Sequence, residues 1–226
     1  MLASCPPLAP ATERPFLLPT GVLQCAAPLP LPVTGPRSTA QARAGRALEF
    51  DTGRSLARTL LARLGARSLD VPAGADRAPV WPPGFVGSIT HTRGWVGVAL
   101  ARAGACRALG IDAEVIDPHQ DLHHIESTCL APRELALWDP SACSRQAFLI
   151  LCFSAKESLY KCLYPLVGRF FDFSDAEIVA LDLSAGTVRI ALLGDLGRGF
   201  TAGRLLEGSA VLAGHYAFTA IWLEQA

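Results

Sequence analysis

Phe153-Ser154-Ala155-Lys156-Glu157-Ser158-Leu159-Tyr160-Lys161 contains both lysines of a 226-residue chain whose other eighteen basic residues are all arginines. It follows the apolar run Ala147–Phe153, and the two together read as one strong helix from near Ser144 to Leu163, stopped by Pro165. Two readings of its polar residues are open. In one, Ser154 caps the helix, Glu157 reaches back to it, and Glu157–Lys161 is a surface ion pair four residues apart. In the other, the helix already runs through Ser154 and the charged residues serve a site. Lysine scarcity favours the second, because an arginine-biased chain keeps an ammonium where a compact point charge is wanted and a planar guanidinium is not.

Upstream, Cys106–Val115 reads as a strand ending in Gly110-Ile111-Asp112-Ala113-Glu114. Asp112 and Glu114 are two apart, so both carboxylates leave the same face. Crowded acids repel unless a cation or proton sits between them, and magnesium takes one or two carboxylates plus phosphate oxygens. The alternative is a solvated strand end. Two further strands, Val86–Thr90 and Trp95–Ala101, flank the turn His91–Gly94. The stretch from Ser38 to Leu64 is helical in pattern, with Asp51-Thr52-Gly53 as a break or kink. A broken helical stretch covers His119–Leu137, and strands are expected at Glu177–Leu183, Thr187–Leu192 and Ala210–Trp222. Helix, strands, helix, strands gives an α+β chain in two similar halves.

Composition excludes several classes. Half the residues are apolar and 18% charged, which describes a globular chain. A formal net charge of zero gives no call for nucleic acid or an anionic membrane. The seven cysteines are scattered without C-x-x-C spacing and read as reduced thiols of a cytoplasmic protein. Leu2-Ala3-Ser4-Cys5 has the look of a lipoprotein box but no apolar segment before it, so export is not expected. No apolar stretch is long enough to span a bilayer. Residues 1–36 hold nine of the seventeen prolines and read as an extended arm with a short edge strand near Gly21–Cys25.

Other chemistry is weakly signalled. Thr90 and His91 at a strand end suit either an anion or a structural role. His119, His123 and His124 lack the further ligand a zinc site needs and read as surface residues. Phosphate-binding glycine loops and nucleophile elbows are absent.

Taken together, Gly110–Glu114 and Phe153–Lys161 resemble the signature pair of the 4′-phosphopantetheinyl transferases. Arg46-Ala47-Leu48-Glu49-Phe50-Asp51-Thr52-Gly53-Arg54-Ser55-Leu56-Ala57-Arg58 resembles the arginine helix of the two-lobed class that activates siderophore, other non-ribosomal peptide and polyketide synthetases. So do Trp81-Pro82-Pro83-Gly84 and Gly87-Ser88-Ile89-Thr90-His91-Thr92. The resemblance implies a pseudo-dimer of two similar α+β lobes, 1–105 and 106–226, in a monomeric cytoplasmic enzyme. It implies Mg2+-dependent transfer of the 4′-phosphopantetheine arm of coenzyme A to a serine of an apo acyl or peptidyl carrier protein, releasing adenosine 3′,5′-bisphosphate. By matching position, Asp112, Glu114 and Glu157 would hold the metal. Asp112 would thereby also face the coenzyme A pyrophosphate, and Lys156 and Lys161 would contact its phosphates, Lys161 neutralising charge. Glu157 or a metal-bound water would take the serine proton. Arg46, Arg54 and His91, with Thr90 nearby, would bind the 3′-phosphate end. A non-catalytic coenzyme-A-binding or carrier-docking module is the alternative. The proline-rich start and Val115–Trp138 depart from the family pattern.

Overall fold

The computed structural model describes residues 14–30 and 38–225; the rest of the proline-rich arm and the Leu2–Cys5 stretch lie outside the described residues. The elements run β1 (Val22–Pro28), α1 (Thr39–Arg63), β2 (Phe85–Thr92), β3 (Trp95–Arg102), β4 (Ala108–Val115), α2 (His123–Cys129), α3 (Pro132–Leu135), α4 (Arg145–Val167), β5 (Ala176–Asp182), β6 (Thr187–Leu192), β7 (Leu205–Ala213) and β8 (Tyr216–Leu223). They form two antiparallel sheets, one ordered β1-β3-β2 and one β4-β8-β7-β6-β5. The fold is α+β, with a long helix laid on each sheet.

β1 is the expected edge strand, and Pro28 ends it opposite Trp95. An edge is where a residue without an N–H is tolerated. α1 is one unbroken helix of 25 residues, capped by Ser38 with Gln41 reciprocating. The expected break at Gly53 is instead a contact point: a Cβ there would stand 2.9 Å from Ile89 Cγ2 of β2. Ala57, Leu60 and Leu61 bury the helix against Val98 and Leu100 of β3.

α4 starts at Arg145 with Ser144 as its cap, so Ser154 lies mid-helix and caps nothing. The helix also runs past Pro165 to Val167, ending where Gly168 adopts φ 71°. Pro165 gives up its hydrogen bond to the turn before it, yet Leu163 and Val167 stay buried on either side, and the left-handed glycine supplies the stop. Phe148, Leu151, Leu159 and Leu163 pack into one core with Ile190, Leu192, Ala217 and Ile221 of the second sheet. Ser154 and Ser158 turn their hydroxyls onto Thr219 of β8, each 2.8 Å from its Oγ1. The expected strand Ala210–Trp222 is two strands, β7 and β8, folded at Gly214-His215. The broken helix expected over 119–137 is the short pair α2 and α3.

Gly110 explains how α4 reaches the acids. A Cβ on it would lie 2.0 Å from Ser158 O and 2.5 Å from Cys162 N, so the backbone of α4 crosses β4 directly. The two sheets meet through Trp95 of β3 and Phe218 of β8, ring centroids 5.1 Å apart, with Phe16 against both.

Gly110→Ala is therefore expected to push α4 off β4. Overpacking typically costs about 1–3 kcal/mol. At the upper end, where a backbone clash belongs, that is a fall in Tm of about 6–12 °C for a chain of this size. A thermal melt showing no loss would contradict the close approach.

Candidate active site

The sheets are joined beside their acids by a row of hydroxyls. β4 is an edge strand of its sheet, so its outward N–H groups need partners. β2 supplies them with alternate side chains. Ile111 N donates to Ser88 Oγ at 3.1 Å, Ala113 N to Thr90 Oγ1 at 3.2 Å, and Val115 N to Thr92 Oγ1 at 3.2 Å. Having accepted from the backbone, two of these hydroxyls donate onward. Thr90 donates to Asp112 Oδ1 at 3.1 Å and Thr92 to Glu114 Oε2 at 3.5 Å.

From the other side, α4 brings Lys161 Nζ to 2.5 Å from the same Asp112 Oδ1. Asp112 is 3% exposed, and its second oxygen, Oδ2, is buried without a hydrogen-bond partner. Burial foremost, then the neighbouring Asp112, pushes the Glu114 carboxyl from its ordinary 4.5 to about 8, against the pull of Lys161. Glu157 is also raised, first by burial and further by Asp112, with Lys161 opposing. Three acids and one ammonium thus share a space short of positive charge. Among the described residues no three His, Cys, Asp or Glu side chains stand as a ready-made metal cage. A magnesium ion needs no such cage, since it takes only one or two carboxylates beside phosphate oxygens and waters.

Lys156 is placed differently from expectation. It is buried, and its three N–H donors go to Glu134 Oε2 at 2.9 Å, Cys129 O at 2.8 Å and Phe173 O at 3.1 Å. An ammonium has no fourth donor, so the expected phosphate contact gives way to a knot tying α2, α3 and the turn after α4 onto α4. Glu134, fully buried, also accepts from Ala131 N and Ile178 N. Its signal in the sequence was modest: Pro132 at a helix start with Glu134 two residues on. Thr90 needs a parallel correction. At 2% exposure, with its single donor on Asp112, it is bound to the carboxylate and not to the 3′-phosphate end.

The basic end lies on α1 and the opposite face of β2. Arg54 is buried, its guanidinium carbon 4.7 Å from the Phe50 ring centroid and its Nε without a partner. Burial first, then Arg58, lowers its pKa. His91 faces Glu49, Nδ1 to Oε2 3.4 Å. Arg46 is exposed one turn earlier on the helix. His119, His123 and His124 are exposed, as expected. Beyond Glu157 an apolar cleft of about 190 Å³ opens between Leu159, Tyr160, Phe170, Phe171 and Phe173.

Both halves of this arrangement match described families. Residues 36–101 match the model of the 4′-phosphopantetheinyl transferase N-terminal domain, and residues 108–221 that of the 4′-phosphopantetheinyl transferase superfamily. The chain belongs to the 4′-phosphopantetheinyl transferase superfamily. It is 42% identical over 148 residues to the 4′-phosphopantetheinyl transferase Svp of Streptomyces mobaraensis, covering 64% of this chain and 58% of Svp. With Npt of Nocardia iowensis it shares 34% over 186 residues, 78% of this chain and 82% of Npt. With PptT of Mycobacterium tuberculosis it shares 37% over 150 residues, 66% of this chain and 64% of PptT. Thus the match spans less than two thirds of Svp and PptT but most of Npt. No helix among the described residues is long and apolar enough to cross a membrane.

The acids of this transferase-superfamily site set a pH dependence. Folding raises the Glu114 pKa, so the folded chain holds that proton more tightly than the unfolded one. The cost of ionising it is absent below about 4.5, grows as pH rises, and is complete above about 8. Metal-free protein is expected to lose Tm across that window. Glu114→Gln should flatten part of the slope, with Glu157 supplying the remainder; melts of both proteins at intervals between these limits would check it.

Proposed function

We propose that this chain transfers the 4′-phosphopantetheine arm of coenzyme A to a serine of an apo acyl or peptidyl carrier protein. The serine oxygen forms a bond to the phosphorus bearing the pantetheine, the bond from that phosphorus to the departing phosphate oxygen breaks, and adenosine 3′,5′-bisphosphate leaves. The observation that carries this reading is the cluster of Asp112, Glu114, Glu157 and Lys161, with Asp112 Oδ2 buried and unpartnered and Glu157 also lining an apolar cleft.

That orphaned oxygen and the cation-poor acids fit a divalent ion. Asp112, Glu114 and Glu157 would hold magnesium, which when bound supplies positive charge against the pyrophosphate. The chain's own groups do the rest. Lys161, partly exposed, offers its ammonium to the transferring phosphoryl, where positioning and charge neutralisation are most of catalysis. Glu157, whose affinity for a proton is raised, takes the proton from the serine hydroxyl. Tyr160, Phe170 and Phe171 line the path for the pantetheine arm. Arg54 and His91, with Arg46, take the 3′-phosphate.

In this reading residues 1–105 and 106–226 are the two lobes, and one chain supplies the whole site, as a monomer in the cytoplasm. Support for the single-chain site lies in the bonds from Thr90 and Thr92 to acids across the seam. Cys25, Cys106, Cys129, Cys143, Cys152 and Cys162 are all free thiols, which suits a reducing compartment.

The test is incubation with coenzyme A, Mg2+ and a panel of apo-carrier proteins, followed by mass spectrometry for the gain of one phosphopantetheine. Asp112→Ala is expected to abolish the gain and remain folded. A normal yield from that variant would refute the assignment, and no gain on any carrier would favour the coenzyme-A-binding module. Separately, Arg54→Ala is expected to weaken coenzyme A by about 10-fold or more, since charge-assisted bonds to phosphate exceed about 1.5 kcal/mol. Binding of 3′-dephospho-coenzyme A should change little. Equal losses in calorimetric titrations would remove Arg54 from the 3′-phosphate.

A further inference from the structure

We propose that Thr90 and Thr92 are positioning residues for a divalent cation, each fixing which oxygen of its carboxylate is left free to bind the ion. The inference rests on the cation reading above and goes beyond it, because neither threonine would touch the ion. A hydroxyl has one donor and can accept in return. Here Ala113 N and Val115 N occupy the accepting side of Thr90 and Thr92. The single O–H of each is thereby aimed outward, to Asp112 Oδ1 and Glu114 Oε2. Chained bonds of this kind polarise one another. At Asp112 the result is specific: Oδ1 takes both Thr90 and Lys161, and Oδ2 is left buried and unpartnered. An oxygen kept bare in the interior is costly unless a cation is its intended partner.

Ser88 provides an internal control. Its hydroxyl accepts from Ile111 N in the same row, at 3.1 Å, and the structure gives it no bond to a carboxylate. A role in holding the sheets together is common to all three hydroxyls; a role toward the ion belongs to two of them.

The experiment titrates Mn2+ into the full chain with coenzyme A present, reading free Mn2+ by electron paramagnetic resonance alongside thermal melts. Thr90→Val and Thr92→Val keep side-chain shape and remove the hydroxyl. Each is expected to raise the Mn2+ Kd by about 10-fold or more, the scale seen when the partner of a ligand is removed. Ser88→Ala should lower Tm by a similar amount and leave Kd within about twofold. Thr90→Ser and Thr92→Ser, which keep the hydroxyl, should restore Kd, and they keep the question decidable if a valine variant does not fold. Parental Kd in a folded valine variant, an equal loss in Ser88→Ala, or a serine variant as weak as Asp112→Ala would overturn the proposal. If Asp112→Ala has lost the ion and the valine variants have not, this proposal alone fails. If Asp112→Ala binds Mn2+ like the parent, the cation reading fails and takes this proposal with it.

Discussion

Everything at the site depends on how an edge strand is finished. β4 ends the five-stranded sheet, and β2 lies along it without joining that sheet. The outward amides of Ile111, Ala113 and Val115 meet hydroxyls where a neighbouring backbone would otherwise be needed. Continuing the sheet would have consumed those amides in a backbone ladder. Meeting them with side chains satisfies the edge and keeps the carboxylates of Asp112 and Glu114 between the two units. Trp95, Phe218 and Phe16 supply apolar contact at the same junction.

The two lysines divide their labour by depth. Lys156 is 4% exposed and forms a buried ion pair with Glu134, a pairing whose worth is mostly the cost of breaking it. Lys161, five residues later, has a side chain 29% exposed and reaches Asp112 Oδ1. One helix therefore faces a structural knot with one ammonium and the cluster of acids with the other. Glu157 stands between them and borders both the acids and the apolar cleft. The close passage of α4 over Gly110 holds these groups at working distance from β4.

Much of this was legible in the chain. Residue types at period two located Asp112 and Glu114 on one face, and the motifs on α1, β2, β4 and α4 carried the family. What escaped was decided by tertiary partners. Rarity marked Lys156 and Lys161 alike, because sequence spacing does not say which ammonium meets Glu134. Thr90 beside His91 suggested a shared anion, yet neighbours on a strand point to opposite faces: Thr90 turned to β4 and His91 to α1. The same alternation, Ser88-x-Thr90-x-Thr92, was available as a signal for the hydroxyl row. Pro165 misled because packing of Leu163 and Val167 on either side of it carries the helix through, and the stop falls at Gly168.

The hydroxyl row also sets a phase. Ser88, Thr90 and Thr92 point toward β4, while Ile89 meets Gly53 of α1 and His91 meets Glu49. Adding or removing a single residue in β2 would exchange the two faces, since side chains repeat every second position. It would turn Ile89 and His91 toward the amides and the acids, and the threonines toward the helix. Single substitutions leave that phase intact, whereas an odd-numbered insertion or deletion at this strand would scramble the acid site and the basic site together. Length change in β2 is thus a harsher constraint on this protein's evolution than the chemistry of any one of its side chains.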